Sequence, residues 1–323
     1  MKVAIAQFAS VFLDRRSTLL RIVEAVEAGA AECSLVVFGE AFVPGYPIWL
    51  CRTDGARFDD PEQKAFHRTY MEQAVAPHEG HLDSVVAASA RHGVTVVLGI
   101  VERPADRGGH SLYCSRVVID PKLGVVSIHR KLMPTSEEQL CWGIADGHGL
   151  TTHLVGSFTM GALNCWENWM PLARAALHVQ GEDLHVAIWP GRDMNTREIT
   201  RFLAIESRSF VISAGALLHE CDVPKDFPIR EKLLASPSQP IAYNGGSCIA
   251  EPDGRWIVEP VCDTAGLIIA DLDHGLVLRE RQSLDISGHY SRPDALRLIV
   301  DRARQTGAKF VNSRPSSVSI DPA

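Results

Sequence analysis

The chain has eight cysteines, at 33, 51, 114, 141, 165, 221, 248 and 262, but no C-x-x-C pair among them. It therefore lacks the spacing of a zinc knuckle or a dithiol redox centre, and neither a metal nor a cofactor is expected. No apolar run reaches the roughly 18 residues of a membrane-crossing helix, so no membrane partner is expected. Basic residues are scattered apart from Arg15-Arg16 and His129-Arg130-Lys131, and the net charge is −7. That distribution offers no stripe to neutralise a phosphate backbone, which argues against nucleic acid as a partner. Also absent are a Gly/Ser or Pro-rich linker and any internal repeat, so a single domain over 1–310 is expected. Residues 311–323, with no periodic apolar face, are expected to form a loosely ordered tail.

What remains is a chain of 323 residues, 46% apolar and 22% charged. A fold of this size buries roughly 75% of the surface of its extended chain, enough for a core without disulfides. The cysteines, mostly in apolar runs, read as reduced thiols of a cytoplasmic protein. The opening MKVAIAQF superficially imitates a signal peptide. Gln7 interrupts it, and Val3, Ile5 and Phe8 suit a buried first strand instead.

Short β-branched runs alternate with segments of helical period, which predicts an α/β protein with mixed sheets. Strands are expected near 2–8, 34–38, 94–102, 112–119, 124–130, 151–155, 158–166, 185–189, 210–218, 247–251, 255–259 and 266–272. Helices are expected at 15–31, within 61–92, and at 169–180, 196–209, 274–282 and 293–307. Asp253-Gly254 between two of the strands is a hairpin signal. The irregular stretches 52–62 and 220–240 are long enough to cover a site or an interface.

Three ionisable residues stand at strand ends. Cys165 closes the apolar run FTMGALN and precedes a turn and a helix expected from about 168. Such an elbow exposes a nucleophile at the sheet edge, where a helix N-terminus would lower its thiol pKa. Glu40 ends SLVVFGE and Lys131 ends VVSIHRK. Taken alone, Cys165 is better explained as a buried structural thiol, and Glu40 and Lys131 as strand-end surface charges. Together they supply a nucleophile, a base and a cation for a developing anion.

The segments GEAFVPGYPIW (39–49), HRKLMPTSEEQLCWG (129–143) and NCWENWMPLARAAL (164–177) resemble the three catalytic signatures of the nitrilase superfamily. GHYSRPD (288–294) resembles a further segment common near the end of nitrilases. Cys165-Trp166-Glu167 favours the nitrilase branch over amidases and carbamoylases. The resemblance implies a four-layer α-β-β-α sandwich and a Glu40, Lys131, Cys165 triad, with Glu138 as a second carboxylate holding Lys131. Gln139 departs from the family, where many nitrilases carry Arg, and this leaves the role of Lys131 untouched.

The implied activity is cofactor-free hydrolysis of a small-molecule nitrile by water to the acid and ammonia, through a Cys165 thioimidate and thioester. Alternatives are an amidase or cyanide-degrading hydrolase of the same fold and, from another class, a non-catalytic scaffold. Burial should raise the Glu40 pKa and Lys131 should lower it, so its direction stays open. Tyr46, Trp142, Trp166 and Trp189 are candidate substrate-binding residues, with plain core packing an equal explanation for aromatics such as these and Trp49. The resemblance also implies a homo-oligomer, a dimer with extension into larger spirals. The helix after Cys165, with Leu172, Ala175, Ala176 and Val179, is a candidate seam. His289 is taken as a structural imidazole.

Overall fold

The structure, a computed structural model, describes residues 1–30, 32–227, 230–235, 242–308 and 311. One sheet takes β1 (Lys2–Gln7), β2 (Leu35–Val37), β3 (Thr95–Glu102), β4 (Tyr113–Asp120), β5 (Gly124–Arg130) and β13 (Gly266–Asp271), in spatial order β13-β1-β2-β3-β4-β5. β1, β2 and β3 are parallel, and the outer strands pair antiparallel. The second sheet takes β6 (His153–Val155), β7 (Phe158–Asn164), β8 (Leu184–Trp189), β9 (Phe210–Gly215), β10 (Leu217–His219) and β11 (Ala242–Ala250). Its order is β10-β11-β9-β8-β7-β6, with β12 (Trp256–Cys262) also paired to β11.

The strands alternate their side chains between two apolar layers, which is why they read as continuous hydrophobic runs. Val3, Ile5, Leu35, Val37 and Val97 of the first sheet pack on Phe158, Met160, Val186, Ile188 and Ile212 of the second. The opposite face of the first sheet, with Ala4, Val36, Val96 and Leu98, packs on Ile22 and Val26 of α1 (Arg15–Ala30) and on Val85 and Ala88 of α4 (Asp83–His92). The outer face of the second sheet meets Ala173 and Leu177 of α5 (Pro171–His178) and Ile199 and Leu203 of α6 (Asp193–Ser207). The chain is thus a four-layer α-β-β-α sandwich. Helices α2 (Trp49–Arg52), α3 (Pro61–Gln73) and α7 (Arg230–Leu234) fall between these elements in sequence, and α8 (His274–Glu280) follows β13.

Two expectations need correction. The helical region 61–92 is two helices, because Val75 leaves the helix to pair with β3, its N–H donating to Val101 O at 2.8 Å, and Pro77 follows. The expected helix 293–307 is absent. Leu298 and Val300 pack onto the α5 cluster while Ile299 is exposed, a period of two rather than 3.6. Polar ties hold that segment extended: Gln305 N–H and Arg304 Nη1 both donate to Asp146 at 3.0 Å. The Asp253-Gly254 turn joins β11 to β12, with Gly254 at φ +84°. The tail 312–323 and part of 220–240 lie outside the described residues.

Candidate active site

The site forms where the ends of β2, β5, β7 and β8 converge. Glu40 follows β2 on a turn that crosses to the other sheet, its N–H donating to Trp189 O at 3.0 Å. That crossing needs Gly99 on β3, since a Cβ there would stand 2.2 Å from Gly39 O and 2.7 Å from Glu40 Cα. Ala41, next in the turn, takes φ +47°, and Cys165 takes φ +45°. Neither residue is glycine, so both turns are held in place by their surroundings.

Cys165 opens a 3-10 turn, Cys165–Trp169, and α5 begins only at Pro171. The expected helix N-terminus directly behind the sulfur is therefore replaced by one tight turn, whose Trp166 N–H favours the ionised thiol only weakly. Glu167 ties this elbow to β5. It accepts from Asn164 N–H at 2.9 Å and from Leu132 N–H at 2.6 Å, and pairs with His129 Nε2 at 3.0 Å. Asn168 Nδ2 donates to Cys165 O at 2.7 Å, and its Oδ1 meets His185 Nε2, whose Nδ1 meets Glu182.

Lys131 extends the β4–β5 ladder, donating its N–H to Cys114 O. Its ammonium lies 2.9 Å from Glu40 Oε1 and 2.7 Å from Glu138 Oε2, with all three residues about 1% exposed. Glu138 also accepts from Thr135 N–H at 2.6 Å and from the Tyr46 hydroxyl at 2.7 Å. The ligand atoms of Glu40, Glu138 and Cys165 all lie within 4.8 Å of one another. Such spacing also suits a cation, but the Lys131 ammonium already bridges the two carboxylates. His129, Arg130 and Lys131 are consequently no basic patch: His129 goes to Glu167, Arg130 to Glu102 and Asp106, Lys131 to Glu40 and Glu138.

Burial pushes the Glu40 carboxyl up to about 7 against the pull of Lys131, which settles the direction the sequence left open. The Cys165 thiol is pushed well above its ordinary value, first by burial and then by Glu40, contrary to the lowered value expected of it. Burial draws the Lys131 ammonium down, yet the facing Cys165 and Glu40 outweigh it and leave its pKa well above the ordinary value. The resting trio is thus a neutral thiol, a carboxylate titrating near neutrality and a fixed cation.

A cavity of about 460 Å³ opens onto Cys165, with Tyr46 and Trp166 in its wall. Trp142 and Trp189 are outside the lining. Trp142 is buried against the Tyr46 ring and beneath Lys131, and Trp189 donates from Nε1 to Ser213 Oγ in the cluster under α6. Both are core aromatics backing the site, and Trp49 is stacked on Phe66 elsewhere. His289 is exposed beside Tyr290. Sequence reasoning missed Cys114, whose thiol lies 3.4 Å from Glu40 Oε1, and the wall residues Arg192 and Tyr243, which belong to no recognisable motif.

A family model described as carbon-nitrogen hydrolase matches residues 2–281. An aliphatic nitrilase of Sinorhizobium fredii is 33% identical over 93% of this chain and 95% of its own length. An arylacetonitrilase of Aspergillus niger is 32% identical over 95% and 90%, and nitrilase 2 of Arabidopsis thaliana 32% over 97% and 92%. Among solved structures, a carbon-nitrogen hydrolase of Helicobacter pylori superposes with a TM-score of 0.68 over 91% of this chain and 96% of that one, at 16% identity. An amidase of a Nesterenkonia species gives 0.62 over 88% and 94%, at 17%. The sandwich, the clustered Glu40, Lys131, Glu138 and Cys165, and matches along nearly the whole length place this chain in the carbon-nitrogen hydrolase family, on its nitrilase branch.

Proposed function

We propose that the protein hydrolyses an organic nitrile to its carboxylic acid and ammonia, with Cys165 as nucleophile. The observation that carries this reading is the meeting of Cys165, Glu40 and Glu138 within 4.8 Å around the Lys131 ammonium, at the floor of an open cavity. Nitrilases as relatives above 30% identity favour nitrile over amide, whereas the amidase structures, at 17%, speak only for the fold.

Glu40, titrating near 7, takes the Cys165 proton as sulfur adds to the nitrile carbon, and returns it to nitrogen to leave a thioimidate. It then activates a water that adds to the same carbon. The tetrahedral species expels ammonia to leave a thioester, which a second water hydrolyses to the acid. Lys131 and the Trp166 N–H stabilise the anionic centre in each addition, and Glu138 keeps the ammonium in place. No metal or other cofactor enters this scheme.

The same proposal includes a homo-oligomer in the cytoplasm. Its support is an apolar outer face: Leu172 and Val179 on α5, with Phe202 on α6, are all about half exposed or more. No described helix is long and apolar enough to cross a membrane.

The direct test is ammonia and acid release from aliphatic, aromatic and arylacetic nitriles, with Cys165→Ala as control. Mass spectrometry of a slow substrate should find the acyl adduct on Cys165. An adduct on Cys51 or Cys141 instead, or no turnover of any nitrile class, overturns the assignment.

A further inference from the structure

The wall of the cavity facing Cys165 carries a cation that the chemistry above does not use. Arg192 stands between β8 and the first turn of α6 and lines the cavity together with Met194, Asn195 and Tyr243. Its Nε is buried and has no hydrogen-bond partner among the described residues. The guanidinium instead rests against the Tyr243 ring, 5.2 Å from its centroid. This stacking fixes the plane of the group and leaves its buried Nε unanswered. The Tyr243 hydroxyl feels the charges of both Arg192 and Cys165, so the guanidinium and the nucleophile address neighbouring parts of one cavity.

Two other charges share the wall outside the buried trio. Glu137 brings a carboxylate, paired with no cation among the described residues, and Arg52 brings a second guanidinium, whose Nε donates to Leu233 O. Glu137 makes no salt bridge with Arg192, so it does not serve as the internal counter-ion. A buried guanidinium donor facing the reaction cavity calls for an acceptor from the substrate. The group that answers a planar fork best is a carboxylate, through paired N–H···O bonds.

We infer that the nitriles this enzyme prefers carry a carboxylate at the end remote from the C≡N group, and that Arg192 is the residue that selects them. This inference rests on the nitrile reading of the same site. A neutral aliphatic nitrile would leave Arg192 Nε without a partner, whereas an ω-cyanocarboxylate places its cyano carbon at Cys165 and its anion at the guanidinium. The Lys131 charge is not available for that purpose, being held between Glu40 and Glu138.

The experiment compares kcat/KM for 3-cyanopropanoate, 4-cyanobutanoate and 5-cyanopentanoate with their methyl esters, in the native enzyme and in Arg192→Gln. At least one acid should exceed its ester by tenfold or more. Arg192→Gln should reduce that ratio at least tenfold, chiefly through KM of the acid, and Arg192→Lys should restore part of it because charge returns without the fork. An unchanged acid-to-ester ratio in Arg192→Gln overturns the inference while leaving nitrile hydrolysis standing. A binding arm keeps the two ideas separate: Cys165→Ala is titrated with the same three acids by calorimetry, with and without Arg192→Gln. Binding that needs Arg192, in an enzyme that turns over no nitrile, would sustain the anion site and sink the nitrile reading. Binding indifferent to Arg192→Gln and Arg192→Lys alike would sink the anion site whatever the turnover.

Discussion

Lys131 Nζ lies 2.7 Å from Glu138 Oε2 in a site where both side chains are sealed from solvent. An ammonium buried so deeply is stable only because Glu138 and Glu40 flank it, and the two carboxylates tolerate each other only because the ammonium lies between them. The three side chains are therefore one unit, and its geometry belongs to a point charge.

Lys131→Arg is the first test of that unit. The guanidinium keeps the charge but is larger and planar, and cannot occupy a position 2.9 Å from one carboxylate and 2.7 Å from the other beside a buried sulfur. Turnover is expected to fall by roughly 10²-fold or more, the scale seen when one anion-stabilising donor is lost. Near-native rates in steady-state assays would mark Lys131 as a dispensable charge.

The second test is pH. With Glu40 ionising at about 7, kcat/KM should rise through that pH on its acid side, because only the carboxylate accepts the thiol proton. The Cys114 thiol, 3.4 Å from Oε1, favours the ionised form, so Cys114→Ala should move this limb to higher pH. Stability runs the opposite way. A carboxyl whose folded pKa exceeds its unfolded value of 4.5 favours folding below pH 4.5 and loses that contribution as pH rises to 7. Glu40→Gln should thus gain on the native protein between pH 5 and 8, by an amount on the order of 1–3 kcal/mol in thermal unfolding. A gap that narrows over that range would contradict the raised pKa.

Much of this was legible beforehand, and the residues show why. Glu40, Lys131 and Cys165 each follow closely on an apolar strand, β2, β5 and β7, so the runs that announce those strands also mark the three residues just past their ends. The sheet order then brings the three ends together. The thiol pKa was not legible, because it is set first by how deeply the fold buries Cys165 and then by the approach of Glu40 from another strand, neither of which a local pattern announces. Arg192 and Tyr243 were invisible for another reason. They meet across 51 positions of sequence, between the start of α6 and the start of β11, and no local pattern announces that contact. The segment 293–307 misled because Leu296, Ile299 and Val300 satisfy a helical spacing loosely, while the packing surface it crosses selects only Leu298 and Val300.

Glu167→Gln addresses how the nucleophile is held. The carboxylate accepts from two backbone N–H groups and faces His129, and the amide can accept at only one of its two ends. The elbow should loosen while the fold persists, lowering kcat by about 10-fold or more with little change in KM, since Glu167 is absent from the cavity wall. A variant with a native kcat would show that Cys165 keeps its φ without this anchor.

Assembly is tested on α5. Ala173, Ala176 and Leu177 face the sheet, so of the expected seam only the outward Leu172 and Val179, with the half-buried Ala175, remain for a partner. Leu172→Lys combined with Val179→Lys leaves the core untouched and should convert an oligomer to monomer in light scattering at micromolar concentration. A native protein already monomeric there would remove the proposed dimer.

Product partition separates a nitrilase from an amidase most sharply. Trp166 is half exposed and shares the cavity lining with Cys165, and the proposed scheme has it crowd the approach to the sulfur. A linear nitrile passes such a constriction with no leaving group to accommodate, whereas a planar amide must seat both oxygen and nitrogen before attack. The tetrahedral species formed from the thioimidate and water carries sulfur, oxygen and nitrogen on one carbon. On the proposed scheme, ammonia departs and acid follows when nitrogen holds the proton that Glu40 delivers, and sulfur departs and amide is released when it does not. The main product should therefore be acid, accompanied by a minor amide fraction that varies with substrate and is hydrolysed slowly or not at all when supplied from outside. Trp166→Ala should widen the entrance, shifting substrate preference more than it shifts thermal stability. Product-resolved chromatography decides the matter: amides consumed much faster than every nitrile would make the constriction irrelevant and the enzyme an amidase.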